Sequence, residues 1–122
     1  MTEVQWPGEW LRGALEMCVL GVLADGSAYG YLIAQRLEEA GLGVIKGGTL
    51  YPLLGRLERE GLVTAAWRAG EGGPGRKYFE LTGPGRAELD DRSLMWQRFV
   101  EGTWRLLPPC PQQSTSHTGG RT

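Results

Sequence analysis

Six cations and three acids lie between Lys46 and Lys77 of this 122-residue chain, although its formal charge is −1. The cations are Lys46, Arg56, Arg59, Arg68, Arg76 and Lys77. An excess of positive charge confined to one stretch of a slightly acidic chain marks a local patch for a polyanion, not a whole surface. Within it Leu50, Leu53, Leu54 and Leu57 recur at helical spacing, so one side of that segment packs on a core. The other side carries Thr49, Tyr51, Arg56 and Arg59, with Lys46 just ahead of it. A short helix with an apolar back and a basic, aromatic front suits a DNA major groove. Thr49 and the first helical amides suit a phosphate. Tyr51 offers a hydroxyl to a phosphate and a ring to a thymine methyl group. Arg56 and Arg59 lie past the middle of the helix, where anchoring to phosphates is expected more than reading of bases.

The remaining cations of the patch flank a turn. Glu71-Gly72-Gly73-Pro74-Gly75 is a loop sequence, and residues 62–68 and 76–81 on either side favour strands. Arg68, Arg76 and Lys77 therefore sit on a two-stranded wing, with Arg76 expected to reach a minor groove. Gly70-x-Gly72-x-x-Gly75 matches a dinucleotide-binding fingerprint in letters only. That motif needs a helix after its last glycine, and here a strand follows. Enzyme chemistry finds no other support. Asp90 and Asp91 are adjacent, so they point to different sides of a helix and cannot share a proton. His117 is the one histidine, and no Cys/His spacing suits a metal. No cofactor is expected. Cys18 on an apolar stripe and Cys110 in a polar tail do not suggest a disulfide.

Other elements must position these residues. Leu11, Ala14, Leu15, Cys18, Val19, Val22 and Leu23 predict a first helix over residues 10–24. Asp25-Gly26 ends it, and Ser27 is placed to cap a second helix over 28–40, with Ile33 and Leu37 inward. Val44-Ile45 reads as a very short strand or a packed loop. The third helix is expected over 49–60, with Pro52 in its first turn. Thr82 suits an N-cap for a final helix over 84–107, which Pro108-Pro109 ends. The fold class that follows is mainly α with a small β-hairpin wing: a winged helix-turn-helix plus a long C-terminal helix. The expected organisation is an arm at 1–9, the reading domain at 10–82, a dimerisation helix at 83–107 and a disordered tail at 108–122. Nothing reaches the length of apolar run that spans a membrane. Glu3 and Glu9 replace the basic start of a signal peptide, and a cytoplasmic location is expected.

Four motifs in this order resemble PadR-type transcriptional regulators. They are residues 15–30 with Tyr29-Gly30-Tyr31, residues 49–63 with Tyr51-Pro52-Leu53-Leu54 and Arg56-Leu57-Glu58-Arg59-Glu60-Gly61-Leu62, then Gly75-Arg76-Lys77-Tyr78-Phe79, then Leu81-Thr82-x-x-Gly85. The resemblance covers roughly residues 11–107 and is to the short-tailed branch with one C-terminal helix. It implies a DNA-binding regulator, with a repressor expected because promoter occupancy alone represses. Gly55 departs from the pattern, since many relatives carry a longer polar or basic residue there.

The final helix raises a separate question. Trp96, Phe99, Val100, Thr103, Trp104 and Leu107 fall along it, with Leu89 and Ser93 earlier. About 24 residues span about 36 Å, longer than so small a domain needs. A homodimer built from the first and last helices would cover these side chains, as in PadR-type proteins, and the DNA partner would then be an inverted repeat. Trp96, with Trp10, Met95 and Phe99, is the expected wall of a pocket for a small, flat aromatic effector. The alternative reading is a winged-helix interaction module that holds a protein partner through its Trp-rich helices.

Overall fold

Pro7 fixes the start of the chain's first helix. Its carbonyl accepts from the amides of Trp10 and Leu11 at 3.0 and 3.2 Å. Helix α1 therefore runs Gly8–Ala24, two residues earlier than the apolar spacing alone predicts. The computed structural model describes residues 5–70 and 72–110. The expected disordered tail beyond 110 lies outside the described residues.

Two residues then change the expected topology. Ala28–Tyr29 form strand β1, not the first turn of a helix. They pair antiparallel with strand β3, Gly73–Leu81, in the register Ala28↔Phe79 and Tyr29↔Tyr78. Strand β2, Val63–Gly70, pairs on the other side of β3, so the sheet has the order β1-β3-β2. The wing thus grows out of a three-stranded sheet, and β1 satisfies backbone groups that a lone hairpin would leave at its edge. Ser27 does not cap a helix. Its hydroxyl oxygen instead accepts from Arg68 Nη2 at 3.1 Å.

Helix α2, Gly30–Leu37, continues into a wide turn at Glu38–Leu42 that Gly41 closes. Val44 and Ile45 form a packed loop in which Ile45 is buried. Helix α3 spans Gly47–Arg59. It starts early because the Lys46 carbonyl accepts from Thr49 and Leu50. Pro52 therefore lies in the second turn, where its missing N–H leaves the Gly48 carbonyl without its usual partner.

Helix α4 spans Gly83–Trp104. The Thr82 hydroxyl accepts from the Gly85 amide at 2.9 Å and donates to the Gly61 carbonyl at 2.7 Å, so one side chain caps α4 and ties it to the end of α3. Gly85 is glycine for a second reason: a Cβ there would strike the Leu62 carbonyl. At the far end the amides of Leu106 and Leu107 both turn back to the Thr103 carbonyl. The helix thus stops before Leu107, as the residue ahead of a proline disfavours helical backbone.

The core is Leu15, Val19, Leu20 and Leu23 from α1, Ile33 and Leu37 from α2, Leu50, Leu54 and Leu57 from α3, and Ala28, Ile45, Val63 and Phe79 around the sheet. Each fully buried Leu or Ile contributes about 1.5–3 kcal/mol. From α4 only Leu89 joins, partly buried.

Candidate nucleic-acid interface

The core sets what α3 presents to solvent. Leu50, Leu54 and Leu57 are buried. At 3.6 residues per turn the opposite ridge is Gly48, Pro52, Gly55 and Arg59. Thr49 and Arg56 flank this ridge on one side, and Tyr51 and Glu58 on the other. The ridge is bare at its centre. Arg59 partly fills the gap by lying back over Gly55, its Nη1 3.5 Å from where a Cβ would sit. Lys46 is exposed at the N-cap position.

Tyr51 is held by two glycines. Its phenol ring occupies the space a Cβ on Gly30 would need, and its ring carbons lie 3.4 Å from a Cβ built on Gly47. The Tyr29-Gly30-Tyr31 motif thus has a packing reason: only glycine at its centre admits the Tyr51 ring. The ring is pinned yet 54% exposed. It lines one wall of an open cleft of about 390 Å³ between the start of α2 and the wing, with Tyr31 beside it and Trp67, Arg76 and Lys77 opposite. Trp67 is 71% exposed and pairs across the hairpin with Lys77. In the sequence Trp67 is simply one residue of the strand-favouring run 62–68. Its place on the cleft wall becomes visible once register is known.

Strand alternation divides the three wing cations. Arg68 and Arg76 are register partners on the outer face. Arg68 stacks 4.2 Å over the Tyr78 ring and Arg76 stacks 4.4 Å over the Tyr29 ring. The two tyrosines meet edge-on at 5.3 Å. Cation–π contact holds both guanidinium groups flat, which offsets the repulsion of like charges set opposite each other. Lys77 points the other way, toward α3, with its Nζ 3.5 Å from Glu58 Oε1.

Arg56 is engaged from behind. Its Nη1 donates to Glu16 Oε1 of α1 at 3.0 Å and lies 3.6 Å from Glu60. The Glu16 side chain is only 13% exposed and meets a second cation, with Oε2 3.0 Å from Arg92 Nη1 on α4. This second approach is an ion pair whose angles are poor for a hydrogen bond. Arg92 also holds Glu88 one turn earlier. Burial works against the Arg92 cation, but its contacts with Glu16 and Glu88 outweigh burial and raise its pKa above the ordinary value. Glu16 therefore joins α1, α3 and α4. Its one signal in the sequence is a lone carboxylate beside Leu15 in an otherwise apolar stretch. Burial raises the Cys18 thiol pKa above its ordinary value, which disfavours the thiolate.

The residues expected to meet an effector are differently placed. The rings of Trp96 and Phe99 lie 6.0 Å apart, while Met95, Phe99 and Trp10 are largely exposed. α1 and α4 pack together within the subunit. No group of three or more metal-binding side chains occurs among the described residues, and no described helix is long and apolar enough to cross a membrane.

Three helices backed by a β1-β3-β2 sheet with a protruding hairpin make this a winged helix-turn-helix protein. The Transcriptional regulator PadR-like family matches residues 19–91. The chain is 36% identical over 88 residues to the transcriptional regulator Rv3488 of Mycobacterium tuberculosis, an overlap of 71% of this chain and 80% of that protein. A PadR family transcriptional regulator from Eggerthella lenta superposes with a TM-score of 0.73 at 38% identity, over 80% of this chain and 85% of its own. A PadR-like transcriptional regulator from Bacillus cereus gives 0.74 at 30% identity, over 81% and 96%. The chain belongs to the PadR-like family of transcriptional regulators, a family of regulators and not of enzymes.

Proposed function

We propose that this regulator is a cytoplasmic repressor that binds an inverted-repeat DNA operator as a homodimer. One observation carries the reading: cations and aromatic side chains converge on α3 and the wing, on the side of the reading head opposite its core. Helix α3 enters the major groove. Lys46, Thr49 and Tyr51 meet the backbone near its start, and Arg59 does so near its end. Arg56 gives Nη1 to Glu16 and Glu60 and keeps its other N–H donors for a phosphate. Arg68, Arg76 and Lys77 place the wing against the adjacent minor groove. The bare Gly48–Pro52–Gly55 ridge favours recognition through backbone and DNA shape over base-edge hydrogen bonds.

Dimerisation is supported by α4, whose Leu94, Met95, Phe99 and Trp104 stay more than half exposed among the described residues. Two-fold-related copies of α1 and α4 would bury them. Half-sites would then lie about one or two helical turns apart. Where Trp96 and Phe99 of the two subunits meet, with Trp10 and Met95 at the margins, a flat apolar effector fits and would change the spacing of the reading heads. The test is binding to the chain's own promoter region across a salt series. Steeply salt-dependent binding, weakened by Arg76→Ala, supports the reading. Failure to bind any DNA, with retained capture of a protein partner by α1 and α4, favours an interaction module instead.

A further inference from the structure

A helix seated in a major groove has a phosphate backbone on each side. The wing flank of α3 carries Tyr51, Arg76 and Lys77 for one of them. The other flank faces α1, and there an open cleft of about 270 Å³ lies between Arg12 and Glu16 of α1 and Thr49, Pro52 and Arg56 of α3. Most charge in this cleft is already matched. Glu16 is held by Arg56 and Arg92, and Arg56 also faces Glu60. Arg56 thus brings donors but little net charge.

Arg12 is the exception. It is exposed, and among the described residues it makes no ion pair. It stands one turn before Glu16 on the side of α1 that carries Leu15 and Val19, nearly opposite Trp10. That side faces its own reading head, so Arg12 is not directed at the α1 and α4 surface assigned to the partner subunit. Its guanidinium lies along the helix beside Gly8, with Nη1 3.7 Å from where a Cβ would sit. Thr49 offers a hydroxyl across the cleft from a solvent-exposed position. One guanidinium with no ion pair among the described residues and one hydroxyl, set on two elements that the Glu16–Arg56 pair fixes together, match a single phosphate oxyanion.

We propose that Arg12 and Thr49 bind a phosphate of the DNA strand that borders the major groove on the side away from the wing. This rests on the DNA-binding reading above and adds α1 to the contact surface. Arg56 then acts as a positioning residue that keeps α1 against α3.

The experiment is operator binding by the full chain over a salt series, joined to ethylation interference on the same operator. Arg12→Ala should lower affinity at least several-fold and reduce the salt slope by about one per subunit. Arg12→Lys should keep the slope, because the charge remains. Arg105→Ala, at the end of α4, should change neither. In the wild type, ethylation of one phosphate per half-site on the side away from the wing should block binding, and Arg12→Ala should lose that sensitivity. If the wild type binds DNA but Arg12→Ala keeps its slope and interference pattern, the Arg12 contact is wrong and the DNA reading stands. If the wild type shows no salt-sensitive binding, the DNA reading falls and takes this contact with it. Should Arg12→Ala fold poorly, the wild-type pattern decides: absence of the predicted phosphate overturns the proposal.

Discussion

The reading head and helix α4 both carry apolar side chains but use them in opposite ways. The reading head buries every leucine that faces inward from α3 except the half-covered Leu53. Its motifs have reasons inside the subunit: Gly30 admits the Tyr51 ring, and Thr82 and Gly85 lock α4 to the end of α3. Helix α4 has one buried residue, Gly85, in 22. Leu94, Met95, Phe99 and Trp104 lie open along it. One region packs its leucines into a core, and the other leaves most of its large apolar side chains exposed among the described residues. Stability should therefore belong to the head, and assembly to α4.

The largest effect should come from breaking the head. Leu54→Ala removes a fully buried side chain at the centre of α3 and should cost about 2–5 kcal/mol, read as a lower denaturation midpoint. Phe99→Asp on α4 should leave the secondary structure of the subunit intact while converting dimer to monomer, read by sedimentation at micromolar concentration. If Phe99→Asp unfolds the chain, or leaves assembly unchanged, the division between head and α4 is wrong.

Gly30→Ala comes next. The added methyl group must displace the Tyr51 ring, at about 1–3 kcal/mol. Because Tyr51 faces the wing cleft, DNA affinity should fall as well. Tyr51→Ala in the same chain should restore most of the stability but not the affinity. Equal loss of stability in the single and double variants would contradict the packing role given to Gly30.

A smaller effect tests the link between the two regions. Glu16→Gln removes the carboxylate shared by Arg56 and Arg92. Both arginines are partly solvated, so stability should change by about 1 kcal/mol or less. Operator affinity should change as α1 and α4 loosen from α3. The smallest effect is expected for the effector. Quenching of tryptophan emission by a planar aromatic compound should be lost in Trp96→Ala and kept in Trp104→Ala. If Trp96→Ala responds like the parent, Trp96 is interface packing only.

What the sequence shows of this molecule follows the range of the interactions involved. The apolar stripe of α3 and the Thr82 cap act within a turn or two of helix, and both are legible in spacing. Strand β1 is not, because two residues have no period and Ala28–Tyr29 become a strand only by pairing with Phe79 and Tyr78 about fifty positions later. Separations of about forty positions hide the contact of Ser27 with Arg68 and that of Glu16 with Arg56. The wing lay between. Its cations were legible as a group, but their division needed the register that puts Arg68 and Arg76 on one face and Lys77 on the other. Arg12 is hidden for another reason: its interest lies in having no ion pair among the described residues, which only the paired state of Arg56 makes apparent.

In the proposed function α3 and the wing form a DNA-reading surface presented twice by a homodimer. It is tested most directly by titrating the chain against duplex DNA from its own promoter region, with the stoichiometry and the salt dependence of affinity measured together. Two chains should bind each operator with affinity that falls steeply with salt, and both Arg56→Ala and Arg76→Ala should bind more weakly. Binding by a single chain, affinity indifferent to salt, or unchanged affinity in both variants would contradict it.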